Sequence, residues 1–135
     1  MGAWGANTFD NDTACDWVYG LQGVNDLNFV RETLERVLAV GEDYLDADDG
    51  CEGLAACEVI ARLRGNYGVR NAYTEEVDKW VEHQDSLPAD ELVGSALAVI
   101  DRVLAAPSEL LELWEEADAT EWRRAVEGLR KRIVA

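Results

Sequence analysis

Histidine is almost missing from this chain, with His83 the single example among 135 residues. Nucleophilic and acid-base catalysis of the commonest kind sets a histidine beside a serine or cysteine. His83 instead sits in the polar run EHQDS at a predicted helix end, where a solvated or capping role fits. Cysteine is limited to Cys15, Cys51 and Cys57, an odd number with no CxxC pair. That excludes the usual zinc spacing and predicts free, mostly buried thiols in a reducing compartment. Positive charge is scarce: 12 Lys and Arg stand against 28 Asp and Glu, a formal net charge of -16. Nucleic acids and anionic membranes are held by clustered Lys and Arg, so neither is predicted as a partner. Apolar runs such as Leu97 to Ile100 and Val103 to Ala106 fall far short of the ~20 residues of a membrane span. The opening residues lack the basic and apolar regions of an export signal and turn acidic by Asp10, which predicts a cytoplasmic protein. GxSxG, the Walker loop and GxGxxG are absent, so no cofactor is predicted.

Strand-like alternation is missing too, and the apolar spacing is helical throughout. It predicts an all-α domain over residues 1–135, a bundle of about six or seven helices. Asp10, Asn11 and Asp12 offer caps for a short helix through Trp17 and Leu21. A second helix runs from about Asn28 to Val40, stopped by Gly41. After the acidic loop GEDYLDADDG, Asp49 and Glu52 form a capping-box pattern opening a third helix that ends at Gly65. Thr74 caps a fourth carrying Val77, Trp80 and Val81. The fifth, ADELVGSALAVIDRVLAA, is apolar on most of its circumference and is therefore predicted to be the central helix. Ser108 restarts the chain as a sixth, giving Leu110, Leu111 and Trp114 to the core. The seventh begins near Thr120 and carries the stripe Trp122, Val126, Leu129 and Ile133. Its last turns hold Arg130, Lys131 and Arg132, cations that complement a helix C-terminus without any ligand.

The segment MGAWGANTFDNDTACDW is where composition is most constrained. Small residues around Trp4 allow close backbone approach, and the acids and amides that follow can cap the first helix. It is predicted to be a strap packed on the core, burying Trp4 and Phe9. On that reading Trp4→Ala costs about 3–5 kcal/mol, and deleting the first five residues harms more than deleting the last five. The same region supplies the candidate ligand-binding residues Trp4, Asn11, Asp12, Asp16 and Trp17, with Glu58 from the third helix. No catalytic residue and no metal ligand is assigned. The stretch DADDG fails as an EF-hand, because a start at Asp46 puts Cys51 at the glycine position and Cys57 at the closing glutamate. Weaker divalent binding by the acidic loop at 42–49 stays open.

Gly2, Ala3, Trp4, Gly5, Phe9, Asn11, Asp12, Ala14, Asp16 and Trp17 write the pattern GAWGxxxFxNDxAxDW. This resembles the start of the bacterial family called domain of unknown function 4259. The resemblance continues in LAACEVIARLRG, with its internal Glu58, and in ALAVIDRVLAAPSELLELWEEAD followed by Trp122. It implies a small helical protein and transfers no catalytic residue. The leading expectation is a non-enzymatic protein-binding module that meets a basic protein partner through its acidic surface, as an immunity protein or nucleic-acid mimic does. Its rival is a small-molecule-binding or hydrolytic enzyme whose carboxylates gather near the N-terminal motif.

Overall fold

The computed structural model describes residues 3–135. These form seven helices: α1 (Asp12–Gln22), α2 (Asn28–Ala39), α3 (Ala47–Leu63), α4 (Glu75–Glu82), α5 (Asp90–Val103), α6 (Glu109–Ala117) and α7 (Thr120–Val134). The all-α bundle expected from the spacing is what forms, around one hydrophobic core. No described helix is long and apolar enough to cross a membrane.

The centre of the bundle is α3, which corrects the expectation for α5. Helix α3 packs against each of the other six, and thirteen of its residues, from Gly50 to Leu63, are buried. The reason is side-chain size. Gly50, Gly53, Ala55, Ala56 and Ala61 let neighbours approach closely, and a Cβ on Gly53 would lie 2.9 Å from Val37 and 3.0 Å from Val99, wedging α2 and α5 apart. Helix α5 buries Leu92, Ala96, Val99, Ile100 and Val103, but its remaining apolar residues are small or only partly covered. A high count of apolar residues is not a large apolar area.

Helix starts follow local chemistry. Asn11 is extended and its side-chain oxygen accepts a hydrogen bond from the Ala14 amide at 2.8 Å, opening α1. The cap of α3 is Asp46, not Asp49: its carboxylate accepts from the Asp49 amide at 2.9 Å, so Asp48 and Asp49 lie in the first turn. The preceding residues are clamped to the start of α6, where the Leu45 amide bonds Pro107 O, the Glu109 amide bonds Leu45 O, and Glu109 Oε1 takes the Ala47 amide. That clamp shortens the acidic loop and moves the cap upstream. Gly41 and Gly65 take φ of 60° and 85° after α2 and α3, conformations that favour glycine. The stripe of α7 is buried at all four positions.

The N-terminal segment departs from expectation at one residue. It folds as a closed loop, with Ala3 bridged to Asn11 and the Trp4 amide donating to Asp10 O at 2.8 Å. Phe9 enters the core, whereas Trp4 is 48% exposed, its ring set against Tyr73 at 5.0 Å. The loop pins the Trp4 backbone at the surface, and about half of the residue stays exposed.

Candidate functional site

Burying a carboxylate in an alanine-rich helix requires that its charge be met inside the fold. Glu58 and Arg62 stand one turn apart on the central helix, both buried. Arg62 Nε donates to Glu58 Oε2 at 3.1 Å and Arg62 Nη1 to Asp78 Oδ1 of α4 at 2.5 Å, while Nη2 donates to Val69 O at 2.7 Å. From α7, Arg132 closes on the same carboxylate with two N–H groups, 2.6 Å to Oε1 and 3.0 Å to Oε2. Thr8 reaches Oε1 at 3.4 Å. Thr74 holds the N-cap position of α4, as expected, but its hydroxyl makes no capping hydrogen bond. It instead donates toward Asp78 Oδ2 at 3.2 Å.

Glu58, Arg62 and Arg132 floor a partly open cavity of about 170 Å³ between the N-terminal loop, α3, the 66–74 loop and α7. Asn7, Thr8, Phe9 and Asp10 form one wall, Gly68, Val69, Asn71 and Thr74 another, and Ala125 and Gly128 the side on α7. Gly68 lies flat against the Arg132 guanidinium, and a Cβ there would collide with its central carbon at 2.6 Å. The lining is electrically balanced, with Asp10 and Glu58 against Arg62 and Arg132. Glu58 accepts four hydrogen bonds, filling the roughly four lone-pair directions of a carboxylate, so it has no free lone pair with which to act as a base.

The six residues expected to share a ligand site do not come together. Of these, Glu58 alone lines the charged cavity. Trp4 lies on the surface with Tyr73. Asn11 is occupied as the cap of α1 and borders a gap of about 20 Å³ beneath the N-terminal loop, room for no more than a water. Trp17 is a core residue, stacked on Phe29 and donating from Nε1 to Thr33 Oγ1 at 2.9 Å. Asp12 and Asp16 are exposed on α1. The residues missed were Thr8, Arg62, Thr74, Asp78 and Arg132. Arg62 had a legible signal, a cation four residues after Glu58 in the apolar second half of α3.

Among the described residues no three His, Cys, Asp or Glu side chains converge on a metal-sized space. In the acidic loop, the carbonyls of Gly41 and Asp43 already accept hydrogen bonds from the Arg102 guanidinium, at 2.8 and 2.6 Å. The three cysteines are free. Burial pushes the Cys51 thiol up to about 12 and raises that of Cys57 further, which disfavours the reactive thiolate at both.

The model of the family described as domain of unknown function (DUF4259) matches residues 2–125. The chain belongs to DUF4259. No curated protein and no solved structure matches it. The DUF4259 match spans the N-terminal loop, Glu58, Arg62, the 66–74 loop and Asp78, while Gly128 and Arg132 lie beyond it.

A second feature of this DUF4259 chain is electrostatic. Thr13 of α1 donates to Asp48 Oδ1 at 3.0 Å, bringing the start of α1, where Asp12 is exposed, to the start of α3, where Asp46, Asp48, Asp49 and Glu52 lie near one another. The counter-charge recorded there is Arg36, 3.0 Å from Glu52. Partial burial, reinforced by repulsion from Asp46 and Asp48, raises the Asp49 carboxyl above its usual range, and Arg36 offsets this in part. Glu52 is raised for the same leading reason, burial, again opposed by Arg36 and assisted by its acidic neighbours.

Proposed function

We propose that the chain is a non-enzymatic binding protein whose acidic face, centred on the starts of α1 and α3, receives a basic protein partner. The observation that carries this reading is how the charge is distributed. The ionic groups of the Glu58 cluster balance, buried Glu58 and Asp78 against buried Arg62 and half-buried Arg132, so the surplus of -16 is carried by residues outside it. Asp46 suffices to cap α3, and one further acid would complement its dipole. Asp48, Asp49 and Glu52 add mutual repulsion beyond that need. A basic surface laid on this face would relieve the repulsion and be steered toward it by the field of the molecule.

The saturation of Glu58 weighs against the hydrolytic alternative, which needs a carboxylate free to accept or donate a proton. The test is partner capture from an extract of the source organism at low and high salt. A partner retained at low salt and released at high salt supports the reading. Retention indifferent to salt contradicts it.

A further inference from the structure

The cavity at Glu58 contains three features that packing alone does not explain. First, Gly128 sits inside α7, where a glycine costs stability relative to alanine, yet a Cβ there would meet no protein atom within 4 Å. The glycine keeps space open beside the cavity instead of relieving a clash. Second, donors outnumber acceptors. Arg62 and Arg132 each have five N–H groups, and each commits three among the described residues. Glu58 has no lone pair left for the remainder. Third, Asp10 stands at the wall with only its Oδ2 engaged, by the Asn7 amide at 3.1 Å.

We infer that this cavity is a binding site for a small zwitterion of α-amino-acid size, its carboxylate held by the uncommitted N–H groups of Arg62 and Arg132 and its ammonium facing Asp10. The size agrees: a cavity of roughly 150 Å³ holds a molecule as large as benzene, and this one measures about 170 Å³. The charge agrees as well. A molecule with a net charge of -16 repels a simple anion at long range, whereas a net-neutral ligand brings a carboxylate to the guanidinium groups without that opposition. The inference is independent of the acidic face, which lies on other residues.

The test uses the full chain titrated with glycine, L-alanine and L-serine up to tens of millimolar, followed by amide NMR shifts of Gly68 and Gly128, with acetate and methylammonium as single-charge controls. At least one amino acid should give a saturable shift, with either control about tenfold weaker or worse. Gly128→Ala should raise the melting temperature and weaken that binding about tenfold or more by filling the space. Gly94→Ala, a mid-helix glycine of α5 that does not line the cavity, should raise the melting temperature and leave binding unchanged. Absence of a shift with all three amino acids, acetate binding as tightly as they do, or undiminished binding in Gly128→Ala would each overturn the inference.

Discussion

Replacing Glu58 by glutamine keeps its size and removes the charge on which two guanidinium groups converge. Removing one partner of a fully buried pair costs about 3–5 kcal/mol, because the partner is left without compensation. Two features lower that figure here. Arg62 keeps Asp78 Oδ1 and Val69 O, and the Arg132 side chain is 23% exposed, so water solvates part of what is lost. The expected loss for Glu58→Gln is therefore about 2–4 kcal/mol. For Arg132→Gln, after which Glu58 retains Arg62 and Thr8, it is about 1–2 kcal/mol. The two residues touch directly, so their effects should not add, and the double variant should cost less than the sum by about 1 kcal/mol or more. Urea denaturation followed by far-ultraviolet circular dichroism measures all three. Additive losses, or single losses under about 0.5 kcal/mol, would refute the view that these groups form one buried ionic unit.

Other expectations follow from burial and charge. Trp4→Ala should cost about 1 kcal/mol, mostly its contact with Tyr73, against about 3–5 kcal/mol for Phe9→Ala, measured by the same unfolding assay. Deleting residues 131–135 should lower the melting temperature more than deleting residues 1–5, the reverse of the order expected from sequence. The C-terminal cut removes fully buried Ile133 and the Arg132 contact with Glu58, whereas the N-terminal cut removes a half-exposed Trp4. Asp49 and Glu52 should titrate above their ordinary values by carbon-detected NMR, and Asp48→Asn should lower both. Because folding raises these two pKa values, their protonation contributes stability that is present below the ordinary carboxylate range and lost as pH rises through the raised values.

The stripe of α7, the cap at Asn11 and the helix stops at Gly41 and Gly65 were legible because each follows from neighbours within a turn or two of the chain. The centre of the bundle was not. Periodicity records which positions are apolar, but the choice of α3 over α5 depended on glycines and alanines that contribute little apolar area and let other helices close in. The site was legible only where it was local. Glu58 and Arg62 sit four residues apart and announce a buried pair, whereas Asp78 and Arg132 join them from α4 and α7 through tertiary packing. Arg132 had a sufficient local reason to exist at a helix C-terminus, which hid its long-range one. Trp4 was misplaced because the closed loop from Ala3 to Asn11 rests on backbone bonds that side-chain chemistry does not reveal.

On the proposed function, one acidic face, and not acidity in general, recognises a basic partner. Two variants of equal net charge separate these. One changes Asp12, Asp46, Asp48, Asp49 and Glu52 to the matching amides, and Asp46→Asn leaves a side-chain oxygen that still caps α3. The other does the same to exposed Asp26, Glu75, Asp85, Glu116 and Glu121, none of which belongs to α1 or α3. The measurement is retention of partner protein on each immobilised variant at low salt, beside the unaltered chain. Loss of the partner from the first variant with retention by the second is the expected result. Equal retention by the two variants, or no partner on the unaltered chain, would contradict the account.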